Sequence, residues 1–160
     1  MSFAIILVSF FALLHLPPLR RRPALSSPRD RAAVAAGLFF VGAGVMHFVM
    51  PAKYAAMIPP QLPSPDFWVF LSGVAEVAGG LGLLLPRTRR LAALGLIVLL
   101  LAILPANLHE AQANTASHVL PFPDGYFWLR LPFQLVYIAW VAWAGGPWRV
   151  GGRARVVAHG

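Results

Sequence analysis

The sequence predicts an all-α integral membrane protein, a helical bundle of five helices. Three observations predict it. First, 59% of the 160 residues are hydrophobic and 11% are charged, against about 25% charged in a soluble domain. Second, apolar runs close to twenty residues recur along the chain, the length that crosses a bilayer core. Third, the basic residues sit in clusters between the runs rather than on one face of any of them. One bundle fits the length. The chain has no cysteine, which excludes thiol–disulfide chemistry and thiolate-held clusters.

The first helix runs from Ser2 to Leu16, apolar except for Ser2, Ser9 and His15, and stops at Pro17-Pro18. No Lys or Arg precedes it and Arg20-Arg21-Arg22 follow it. That order argues against a signal peptide and for a membrane anchor with its N-terminus outside. Residues 1–19 are therefore expected as an N-terminal transmembrane helix. Residues 20–31 form a basic cytoplasmic linker with five arginines.

The second helix is expected over Arg31 to Met50, with Ala33, Gly37, Val41 and Gly44 as a close-packing stripe, and Pro51 ends it. Five prolines (51, 59, 60, 63, 65) stiffen the next stretch, where only Lys53 to Ile58 suits a helical turn. Ser64-Pro65-Asp66 reads as a helix start, with Ser64 as N-cap and Pro65 in the first helical position. The third helix covers Phe67 to Leu85. Pro86 to Arg90 is a tight turn in which Thr88 is placed to cap the fourth helix, Leu91 to about His109. A polar loop, Ala111 to Gly125, leads to the fifth helix, Tyr126 to about Gly145. Residues 147–160 form a basic cytoplasmic tail without apolar periodicity.

If the helices alternate in direction, eleven of the thirteen basic residues fall on one side, and only Lys53 and Arg130 lie toward the other. This positive-inside pattern predicts a multi-pass protein with the C-terminus in the cytoplasm. Tyr54, Trp68, Tyr126 and Trp128 then mark the outer interface, and Trp143 and Trp148 the inner one. The net charge of +8 is thereby assigned to anionic headgroups of the lipid bilayer and not to nucleic acid.

The third helix organises the rest. It is nineteen residues long, a rise of roughly 28 Å, and it carries Glu76 at its centre. Inserting a carboxylate there costs on the order of 2.5–3.5 kcal/mol. The acid must be neutral, paired or facing water. Ser72, Glu76, Gly79 and Gly80 share one face, small enough for neighbouring backbones to approach.

Other rare polar side chains reach the same depth. His47 lies about one turn from the outer end of the second helix. Asn107 and His109 lie at the outer end of the fourth, and Arg130 and Gln134 in the first two turns of the fifth. Pro105 and Pro132 each deny a helix hydrogen bond nearby, which splays two outer helix ends. The pattern predicts a polar cavity in the outer leaflet. Glu76 is its candidate catalytic acid, and His47, Asn107, His109, Arg130 and Gln134 are its candidate binding residues. The plainer alternatives are a buried ion pair that locks the bundle, an Arg130 that snorkels, and histidines that satisfy helix-end carbonyls. A metal on His47, Glu76 and His109, or a haem between His47 and His109, would suit the ligand types. No metal-spaced set supports either, and neither is expected. No phosphate loop, dinucleotide fingerprint or serine elbow is present.

The ordered set Gly44-Val45-Met46-His47-Phe48, Met57-Ile58-Pro59-Pro60, Ser72-Gly73-x-x-Glu76-x-x-Gly79-Gly80, Pro86-x-Thr88-Arg89-Arg90, Pro105-Ala106-Asn107-x-His109 and Arg130-Leu131-Pro132-x-Gln134 resembles the DoxX family of small bacterial membrane proteins. The resemblance covers about Ala32 to Gly146. It implies a four-helix DoxX-like membrane domain over residues 32–146, plus one extra N-terminal transmembrane helix that departs from the family plan. It also implies the bacterial inner (plasma) membrane and a loose association with redox chemistry. The family takes its name from a subunit of a quinone-reducing thiosulfate oxidoreductase. Other members are associated with membrane redox complexes or with maturation of periplasmic enzymes.

Two functions follow as expectations. One is a redox-associated subunit, partnered by a membrane or periplasmic redox protein, that binds a quinone or another small hydrophobic molecule. A histidine would meet its carbonyl and Glu76 would exchange its proton. The other is a non-enzymatic assembly protein whose polar cluster is structural. A transporter is disfavoured, because the inner helix halves carry no matching polar path and no inverted repeat is visible.

Overall fold

The computed structural model describes residues 2–17, 25, 27–113 and 126–146. Among them every regular element is helical: α1 (Ser2–Leu13), α2 (Pro28–Val49), α3 (Pro51–Ala55), α4 (Pro65–Leu84), α5 (Arg89–Ala113) and α6 (Tyr126–Gly145). Three helices, α2, α4 and α5, are long and apolar enough to cross a membrane. The arginines at 20–22, the loop at 114–125 and the tail at 147–160 lie outside the described residues.

The helix starts differ from expectation in instructive ways. α2 begins at Pro28, three residues before the expected Arg31. Ser27 Oγ accepts from the Asp30 N–H at 3.1 Å, and the Asp30 carboxylate accepts from the Ser27 backbone N–H at 3.3 Å. This reciprocal box satisfies two otherwise orphaned donors, and Pro28 loses nothing in the first turn. Ser64 does sit at the N-cap of α4, but with φ 55° and no side-chain cap bond. Thr88 does not cap α5 with its side chain. Its hydroxyl donates backwards to Gly82 O at 2.9 Å and closes the end of α4. Arg89 completes that closure, with Nε donating to Leu83 O at 3.1 Å and Nη1 to Asp30 Oδ1 at 2.6 Å. The start of α2, the end of α4 and the start of α5 are thereby tied together.

α1 has 12 residues, about 18 Å of rise, and does not reach across a bilayer core of about 30 Å. It packs instead on α2 and α6. Leu7 is buried in the main core with Phe39 and Phe40, and Phe11 meets Trp140 edge-on at 5.0 Å. At its foot, His15 Nδ1 donates to Phe11 O at 2.8 Å and His15 Nε2 accepts from Arg31 Nε at 3.1 Å. Arg31 is buried, and its Nη1 donates to Leu25 O at 2.7 Å.

α2 and α4 make the most extensive contact in the molecule. Gly37 faces Gly80 and Gly44 faces Gly73 across it. A Cβ on any one would stand 2.7–3.2 Å from the carbonyl oxygen of its opposite number. The pairs are seven residues apart on both helices, which suits an antiparallel left-handed crossing. Apolar side chains gain little from meeting each other inside lipid, so close backbone approach holds such helices together. Gly79 faces Leu96 of α5 instead. Ala33 of the expected stripe clusters with Ala32 and Ala144, with Phe11 and Trp140 packed against them. The outward faces of the helices, with Val74, Leu81, Leu91, Val98 and Leu101 exposed, form an apolar jacket.

Candidate functional site

The glycine seam brings His47 of α2 beside Glu76 of α4. A Cβ on Gly73 would lie 2.8 Å from His47 Cβ. Across that approach His47 Nδ1 stands 3.8 Å from Glu76 Oε2. Nδ1 also lies 3.1 Å from Ala43 O. A carbonyl only accepts, so Nδ1 carries the hydrogen.

These two residues border a cavity of about 140 Å³, close to the roughly 150 Å³ that accommodates one benzene-sized ring. Its walls follow helical spacing from the polar residues. α2 supplies Phe39, Phe40, Ala43 and His47, and α4 supplies Val69, Ser72 and Glu76. α5 supplies Leu100, Ile103, Ala106 and Asn107, and α6 supplies Arg130, Phe133, Gln134 and Tyr137. The segment from α3 to Ile58 adds Tyr54, Met57 and Ile58 to the lining. Tyr54 stacks on His47, ring centroids 3.9 Å apart at 23°. Burial pushes the Tyr54 hydroxyl above its ordinary range, as does the Glu76 carboxylate, against the pull of the Arg130 cation.

The polar walls are tightly bonded. Asn107 Nδ2 donates to Gln134 Oε1 at 2.9 Å, and Gln134 Nε2 donates to Leu100 O, which pins α6 to α5. Ser72 Oγ donates to Val69 O at 3.0 Å. Arg130 Nη1 donates to Met57 Sδ at 3.4 Å, holding the cap to α6. Glu76 differs. Among the described residues, its buried Oε2 has no hydrogen-bond partner, an arrangement costly to leave unanswered.

Five of the six candidates from sequence therefore line one cavity: His47, Glu76, Asn107, Arg130 and Gln134. His109 does not line it. It follows Asn107 by two residues, about 200° around the helix, so the two cannot face the same way. Among the described residues no three metal-ligating side chains gather. The aromatic residues Phe39, Phe40, Phe133 and Tyr137 were not foreseen, although each stands three, four, seven or eight positions from a candidate. Tyr54, expected as an interface marker, is half-buried and stacks on His47.

Residues 35–145 match the model of a domain of unknown function, DUF8561. The chain belongs to this family. No curated protein and no solved structure matches it. The DUF8561 stretch contains every residue that lines the cavity, while α1, His15 and Arg31 lie before it.

Proposed function

We propose that this DUF8561 protein is a DoxX-like, multi-pass protein of the bacterial inner membrane. In this reading α2, α4, α5 and α6 form the four-helix core, α1 is an added helix, and the arginine clusters and C-terminus face the cytoplasm. The cavity then opens toward the outer leaflet and takes a quinone or a similar small hydrophobic molecule, as part of a membrane or periplasmic redox system. The observation that carries this is Glu76: a buried carboxyl with an unanswered oxygen, bordering a ring-sized cavity with aromatic walls. A quinone gains and loses protons with its electrons, and a carboxyl beside it can hold that proton. In this reading His47 lines the cavity with its Nδ1 engaged by Ala43 O and one ring face covered by Tyr54, so Glu76 is the group left to meet the ligand.

The test is binding of a short-chain quinone to the protein in lipid discs, read by thermal shift. Wild type should be stabilised, Glu76→Gln should lose that stabilisation, and the unliganded unfolding temperatures should differ little. Absence of any shift in wild type would sink the reading.

One observation favours an assembly protein instead. The Asn107–Gln134–Leu100 chain is structural in form, linking α5 to α6. In that case Gln134→Leu and Glu76→Gln should both unfold the bundle at lower temperature, and no quinone should protect it.

A further inference from the structure

The free hydrogen-bonding capacity of the cavity narrows its ligand, on the reading that the cavity is a binding site. Gln134, Asn107, Ser72 and the His47 Nδ1 are engaged with protein groups. Glu76 Oε2 is not. The ligand therefore has to answer Glu76.

The chemistry of that answer is restrictive. An ionised carboxyl only accepts hydrogen bonds, and a protonated one also donates. A ketone or ether oxygen serves only the protonated form. An ammonium serves only the ionised form. A hydroxyl both donates and accepts, so that single small neutral group serves Glu76 in either state. The rest of the cavity adds two limits. Its volume of about 140 Å³ matches that of a site for one ring. Its lining is largely apolar and aromatic around Glu76 and Arg130, so an ionic ligand would leave water for apolar walls.

We propose that the cavity selects a neutral, single-ring aromatic molecule bearing a hydroxyl group, a phenol or benzenediol, held through that hydroxyl on Glu76. For a molecule that cycles between dione and diol, the reduced, hydroxylated form is the one retained.

Two fluorinated rings of nearly equal size test this: 4-fluorophenol and 4-fluorotoluene, which differ by a hydroxyl in place of a methyl. Each is titrated into the protein in lipid discs and followed by fluorine NMR, with empty discs measuring partition into lipid. The phenol should bind at least about tenfold more tightly than the toluene, the ratio that one answered buried polar group supplies. Glu76→Met should erase the difference. Ala106→Phe, which fills the cavity without touching Glu76, should abolish binding of the phenol and guards against a Glu76 variant that fails to fold. Equal binding of the two rings to wild type, or phenol binding that survives Ala106→Phe, overturns the proposal. If the short-chain quinone binds but the phenol is not preferred over the toluene, this inference falls and the quinone pocket stands. If quinone, phenol and toluene all fail to bind, both fall.

Discussion

Gly44→Ala is the smallest change that challenges the whole arrangement. The added Cβ would lie 2.7 Å from Gly73 O, 2.8 Å from Val77 Cγ2 and 2.9 Å from Val77 N. Two of these three atoms are backbone, so a rotamer change does not relieve the clash. Ordinary contact begins at 3.4 Å, so α2 and α4 must part by about 0.7 Å. Overpacking of this kind costs about 1–3 kcal/mol. Gly42→Ala is an internal control on the same helix, since nothing lies within 4 Å of its Cβ position. There the better helix propensity of alanine offers up to about 1 kcal/mol of gain. The assay is reversible unfolding of both variants in one detergent, followed by circular dichroism. Gly44→Ala should be destabilised and Gly42→Ala should match or exceed wild type. Equal effects at the two sites would refute the glycine seam as the element that sets His47 against Glu76.

Three other substitutions probe separate parts of the molecule. Ser27→Ala removes the hydroxyl that accepts the Asp30 N–H and should cost about 1 kcal/mol in the same unfolding assay. His15→Lys places a fixed cation where the ring now accepts from Arg31. It should raise hydrogen exchange in residues 2–13 and leave α4 and α5 unchanged, whereas His15→Asn should do so far less. The raised Tyr54 value favours the neutral phenol in the folded state. Its contribution to stability is present in full below the free tyrosine range near 10 and is lost as pH rises through the higher folded value. Unfolding temperatures of wild type and Tyr54→Phe should therefore run in parallel up to about pH 10, with wild type alone falling faster above it.

The long apolar helices α2, α4 and α5 were legible because run length is a property of the chain alone. The fifth helix, Tyr126–Gly145, appears as read. The start of α2 was missed because its first turn carries Arg29, Asp30 and Arg31. Charges there read as linker, although Ser27-Pro28-Arg29-Asp30 has the spacing of a capping box. Five residues of the cavity lining were legible because ionisable and amide side chains are rare in such helices. His109 was included on depth alone, where the angle around the helix decides. The mirrored glycine pairs, the engagement of His47 with Ala43 and the place of Tyr54 depend on how two helices are set against each other. No single-chain periodicity carries that information. The buried Arg31 was hidden for the same reason: its partners, His15 and Leu25, are supplied by the chain before α2.

The most direct measurement of the central claim is mass spectrometry of the small molecules that stay with the protein when it is purified in native lipid discs, wild type beside Glu76→Gln. The account predicts a small ring compound of the quinone class, retained by wild type and lost from a mutant that unfolds at nearly the same temperature. Nothing retained by wild type, together with a mutant that falls apart, would contradict it and make the Glu76 cluster a structural pin.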